Sequence, residues 1–208
     1  MPRDTFFNAH QRATVEAAMA RMIPTDHEPG AREAGAIDFV ERYLSGIAFI
    51  YAKPGGGGFE TLTGKRADSW RQRIDVLRKT YVEGIAALDT LASEMFRAEF
   101  RMLNEAQQDE TLAALERGQA GGGDGEGPAL QQTLTETELA FVPLLAMHTR
   151  QGFYSDPVYG GNKGHVGWTV IGFPGPSSLM EVFTGRYSAL PWFAEGEERK
   201  YREANRGE

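Results

Sequence analysis

Between Arg66 and about Leu91, the large apolar side chains Trp70, Ile74, Leu77, Tyr81, Ile85 and Leu88 return every three or four residues. That is the period of a helix with one buried stripe; a strand, whose side chains alternate with period two, cannot present it to a single core. A stripe this long needs other helices to cover it, so the segment constrains the chain to a helical domain.

The rest of the sequence agrees with that constraint. Phe7 to Ile23 reads as a helix with Val15, Ala18, Met19 and Met22 on its buried side, and Pro24 ends it. After the loop Thr25–Gly30, a second helix is predicted from about Ala31 to Ile50, with Ile37, Val40, Leu44 and Ile47 on its apolar face. The glycine run from Pro54 to Gly58 breaks it. A short helix around Ser93–Leu103 extends or follows the long one. Asn104 and Gln107 then form a capping-box variant that opens a helix carrying Leu112 and Leu115 and stopping at Gly118. The low-complexity stretch 118–128 reads as a mobile surface loop, because it has too little apolar surface to offset its chain entropy. Another helix is predicted from about Thr135 to Gln151, kinked near Pro143. The reading is therefore all-α, a single domain over 1–195 of about five to seven helices, with a charged tail at 196–208.

From Phe153 to Ser178 glycine, proline and aromatic residues crowd together. Val166–Ile171 has strand propensity but no partner strand, so the region reads as ordered irregular structure. Its composition fits equally a loop that closes the core and a rigid contact surface, since Tyr and Trp give large area at low entropy cost.

Composition and motifs remove several functions. A net charge of −7 argues against nucleic-acid binding, which needs a surplus of Lys and Arg on one face. The absence of cysteine removes disulfides, thiolate nucleophiles and cysteine-held iron–sulfur clusters. The longest apolar stretch, Tyr43–Ala52, is about half of the ~20 residues a membrane helix requires. Gly58–Arg66 fails as a phosphate loop: it has the wrong glycine spacing, Arg where Ser or Thr must reach magnesium, and no preceding strand. No metal site is expected, because His10, His27, His148 and His165 include no pair at ligand spacing. Asp26-His27-Glu28 reads as a solvated turn and His148 as a hydrogen-bonded packing residue. No G-x-S-x-G elbow is present, and carboxylate pairs read as solvated helix faces. No catalytic, cofactor-binding or metal-binding residue is assigned.

The string Asp156-Pro157-Val158-Tyr159-Gly160-Gly161-Asn162, followed by Gly167-Trp168 and by Ile171-Gly172-Phe173-Pro174-Gly175, resembles the C-terminal signature of the gluconate 2-dehydrogenase subunit 3 family. The approach His148–Tyr154 is similar to that family as well. So is the N-terminal block Ile23–Asp26, Pro29–Ala31, Glu33–Gly35 and Phe39-Val40, so the resemblance spans most of the chain.

The resemblance implies a small, all-helical subunit with no cofactor of its own. It implies a large FAD-dependent dehydrogenase of the glucose–methanol–choline type as partner, oxidising a sugar, sugar acid or polyol, with a cytochrome subunit reached through the complex. The small subunit would bind, stabilise and help export the flavoprotein. A transient chaperone, and the small subunit of a cytoplasmic glycoside 3-dehydrogenase, are the alternatives. Location is periplasmic if a leader was trimmed or the partner carries one, and otherwise cytoplasmic, because no twin-arginine motif opens the sequence. Asp156, Tyr159, Gly160, Gly161, Asn162, Trp168, Phe173 and Pro174 are the residues the resemblance assigns to the partner interface or to the segment that presents it.

Overall fold

The computed structural model describes residues 5–120 and 135–188. Among them are seven α-helices and no strand: α1 Ala9–Met22, α2 Ala36–Ser45, α3 Gly64–Phe96, α4 Glu105–Ala120, α5 Phe141–Tyr154, α6 Val166–Val170 and α7 Leu179–Phe183. The fold is all-α, as expected. No helix among the described residues is long and apolar enough to cross a membrane.

The long periodic stripe becomes α3, at 33 residues about 50 Å of helix. Ile74, Leu77, Tyr81, Ile85, Leu88 and Ala92 are buried along it, and Trp70 sits half-buried at its edge. Its end absorbs the first turn of the short helix expected at Ser93–Leu103. Arg97 then caps it in the left-handed conformation, and a separate 3₁₀ turn forms at Phe100–Met102. The capping box at Asn104 forms as predicted: Gln107 N–H donates to Asn104 Oδ1 at 3.0 Å and Asn104 N–H to Gln107 Oε1 at 3.2 Å. Asn8 and Gln11 build the same device at the start of α1.

Five expectations are corrected. The second helix is shorter than 31–50: residues 31–35 are a turn, and α2 closes at Gly46, whose φ of 139° is closed to residues with a Cβ. The helix opened by Asn104 runs through Gly118 to Ala120. The expected helix from Thr135 to Gln151 is two elements, a 3₁₀ turn at Glu136–Glu138 and then α5. Pro143 produces no kink, because it occupies the first turn of α5, where a missing N–H costs no intrahelical bond. Finally, Val166–Val170 is helical, and the segment after Gly152 carries further 3₁₀ turns at Pro157–Tyr159 and Lys163–His165. The glycine-rich stretch beyond Ala120 and the charged tail lie outside the described residues.

α2 and α5 make the most extensive helix pair, with α3 across them and α1 and α4 completing the core. The core joins Val15, Met19, Ile37, Val40 and Leu44 to Leu77, Tyr81, Leu88, Leu144 and Leu145. The Pro54–Gly58 excursion returns on itself through Lys53 N–H to Gly58 O (2.8 Å) and Glu60 N–H to Tyr51 O (2.7 Å).

Candidate functional site: a buried polar network beneath a closed C-terminal signature

At the α2–α3–α5 junction lies a polar network inside the apolar core. His148 of α5 has no exposed side-chain surface, and Glu136 keeps only 5% of its own. His148 Nε2 meets Glu136 Oε1 at 2.6 Å, and its Nδ1 meets the Tyr81 hydroxyl at 2.9 Å. The other Glu136 oxygen accepts Arg73 Nε at 2.6 Å and the Tyr43 hydroxyl at 3.2 Å, with Arg73 Nη2 closing a fork on it. The imidazole stacks on Tyr81, with centroids 5.7 Å apart and planes 8° apart, and meets Tyr43 edge-on.

Burial opposes ionisation of Glu136, but the His148 and Arg73 contacts outweigh it and hold the carboxyl below the ordinary glutamate range. Burial, with the Glu136 charge adding to it, pushes both the Tyr43 and Tyr81 phenols up. Burial also disfavours the charged Arg73, yet its bonds to Glu136 leave the guanidinium raised. An ionised Glu136 only accepts, so His148 Nε2 donates to it. The network is internally satisfied at neutral pH and its imidazole has no exposed atom to offer a substrate. His148 is the hydrogen-bonded packing residue expected from the sequence. Sequence reasoning missed Tyr43, Arg73 and Glu136.

A second polar cluster ties the N-terminus and the C-terminal signature to α2. Glu41 Oε1 accepts the Phe7 N–H at 3.0 Å. Arg12 Nη1 reaches Glu41 Oε2 at 3.3 Å, and its Nη2 reaches Asp38 Oδ1 at 2.5 Å. Lys163 pairs with the other Asp38 oxygen. Burial disfavours the Asp38 charge, but the Lys163 and Arg12 contacts leave the carboxyl lowered overall.

The signature folds on this base as a closed knot. Asp156 caps its first turn, accepting the Val158 N–H on Oδ1 at 2.9 Å. The Val158 carbonyl accepts Arg42 Nη1 at 2.6 Å. Tyr159 packs on Phe59 at 6.0 Å and receives the Ala52 N–H at 3.4 Å. At Gly161 the backbone approaches so closely that a Cβ would lie 2.0 Å from the Gly152 carbonyl oxygen. Gly160 sits against the Asp38 carbonyl at φ 113°. Asn162, fully buried at φ 46°, joins the turn by Nδ2 to Ser155 O at 2.9 Å and accepts the Gly167 N–H on Oδ1 at 2.8 Å. Trp168 is 6% exposed and donates Nε1–H to the Tyr154 carbonyl at 2.6 Å, with Phe173 edge-on at 5.4 Å.

The residues singled out from the sequence are therefore brought together, in two roles. Gly160, Gly161, Asn162 and Trp168 build the knot. Asp156, Tyr159 and Phe173 are half-buried, and Pro174 is exposed.

The family model for gluconate 2-dehydrogenase subunit 3 matches residues 9–175, from the first helix through the Gly-Phe-Pro-Gly end of the knot. The chain belongs to the gluconate 2-dehydrogenase subunit 3 family. No curated protein and no solved structure matches it. The family is named as a subunit of a gluconate 2-dehydrogenase, a name that implies a partner subunit. Within this family member, His27 and Asp26 lie in an exposed turn, and no group of three or more His, Asp or Glu is placed to hold a metal ion among the described residues.

Proposed function

We propose that this chain is a non-catalytic accessory subunit. It binds and stabilises a large FAD-dependent dehydrogenase of the glucose–methanol–choline type that oxidises a sugar, sugar acid or polyol. The observation that carries the reading is where apolar surface is left open. Of the eight exposed large apolar side chains among the described residues, Tyr154 lies just before the signature, Ile171 on it, and Met180, Val182 and Phe183 just beyond it. Scattered exposed apolar residues need no explanation, but their concentration around the signature and on α7 is what a partner contact requires. The knot fixes the signature itself through the Asn162 and Trp168 hydrogen bonds, so little ordering entropy is lost there on association.

On this reading Asp156, Tyr159, Phe173 and Pro174 touch the flavoprotein, while Gly160, Gly161, Asn162 and Trp168 hold the segment that does. FAD belongs to the partner, and a cytochrome subunit is reached only through it. Export with the partner to the periplasm is part of the same proposal.

The test is to express the cognate large subunit with and without this chain and to measure soluble, flavin-loaded protein. The account expects a several-fold loss of soluble flavoprotein without the small subunit. Equal yields of active flavoprotein would overturn it.

A further inference from the structure

A groove of about 470 Å³ opens beside the signature, between the Pro54–Gly56 turn, the Asp156–Val158 turn and the start of α7. Its walls are mostly apolar: Pro157, Val158, the Trp168 edge and Met180. His165 also lines it, its ring tilted 34° against Trp168 with centroids 4.9 Å apart. Among the described residues, Asp156 is the only carboxylate in the lining, and His165 is the only other ionisable side chain there. The Asp156 Oδ1 atom is taken by the Val158 N–H, and Asp156 enters no ion pair among the described residues. The nearby lysine of the signature, Lys163, is committed to Asp38.

A half-buried carboxylate at the end of an aromatic and aliphatic channel is complementary to one kind of side chain. A guanidinium or ammonium meets the carboxylate, its methylene stem lies along proline, valine and methionine, and its charge faces aromatic rings. The chain's net charge of −7 favours approach of a cation over an anion. Met180 in the lining is exposed, as are Val182 and Phe183 on the same short helix.

Resting on the accessory-subunit reading above, we infer that this groove is the anchor point of the interface. It receives an arginine or lysine presented by a loop of the large subunit, flanked there by apolar side chains that cover Met180 and Phe183. Asp156 thus has two jobs: one oxygen fixes the turn, and the carboxylate charge receives the partner.

The test is the affinity of the purified large subunit for variants of this chain, at low and at high salt. Asp156→Asn keeps the capping oxygen and removes the charge. It should weaken binding roughly three- to tenfold at low salt and flatten the salt dependence. Met180 is exposed, so it can carry either charge without unfolding the chain. Met180→Arg should weaken binding about tenfold or more by like-charge repulsion, while Met180→Glu should stay within about threefold of the parent. Equal losses from the two Met180 variants, or an Asp156→Asn variant that binds like the parent, would overturn the anchor while leaving the accessory role standing. A parent chain that binds no flavoprotein at all would overturn both.

Discussion

Replacing Glu136 by Ala should be among the most damaging single changes in this chain. The carboxylate satisfies three donors at once, from Arg73, Tyr43 and His148, and its own side chain is 5% exposed. Its loss strands the His148 N–H, which has no exposed surface, at about 1–3 kcal/mol for a buried unpaired donor. The largely buried Tyr43 hydroxyl adds about 1 kcal/mol more, whereas Arg73, with 38% of its side chain exposed, recovers water and adds little. The sum is roughly 2–4 kcal/mol, a large share of a typical domain's stability. For a chain of this size that is about 5–15 °C in Tm. Urea unfolding followed by circular dichroism reads it directly, and a double-mutant cycle with His148→Ala should show coupling of about 1 kcal/mol or more. A loss below about 0.5 kcal/mol, or additive single effects, would refute the claim that this network organises the α2–α3–α5 junction.

Three further predictions follow from the same geometry. Because Glu136 and Asp38 have folded pKa values below their unfolded ones, the stability they contribute is present above about pH 4.3 and lost as pH falls through the lowered values. Acid titration of stability should show that loss, and Glu136→Gln should flatten it. Gly84→Ala places a Cβ 2.1 Å from Phe141 Cγ and should cost about 1–3 kcal/mol, whereas Gly118→Ala meets open space in a helix and should gain about 0.5–1 kcal/mol, both by thermal melting. Asn162→Gly tolerates the positive φ but loses both side-chain bonds of the knot. It should destabilise by about 1–3 kcal/mol and increase protease cleavage near Ser155, and an unchanged digestion pattern would contradict the closed knot.

The sequence carried the core helices well because their signals are local. The stripe of α3 and the Asn104–Gln107 box are complete within a few turns of chain, and both appear where the pattern put them. The signature residues were legible as a group through family resemblance, though not their division between knot and surface. That division rests on close approaches such as Gly161 on Gly152, which depend on how α5 lies against α2.

Glu136 shows why the rest was hidden. It stands in the polar run Thr135-Glu136-Thr137-Glu138, which reads as the solvated start of a helix, and its burial is decided by Arg73, Tyr43 and His148 from three different helices. Val166–Val170 failed for a similar reason. Its local propensity is overridden by tertiary contacts: Gly167 packs under the Phe153 carbonyl, where a Cβ would lie 2.0 Å away, and its N–H donates to Asn162 Oδ1.

The most direct measurement of the central claim is size-exclusion chromatography of the chain co-expressed with its cognate large subunit, followed at the flavin absorbance. The account predicts co-elution at fixed stoichiometry with a yellow, sugar-oxidising partner. Separate elution, with the flavoprotein active by itself, would contradict it.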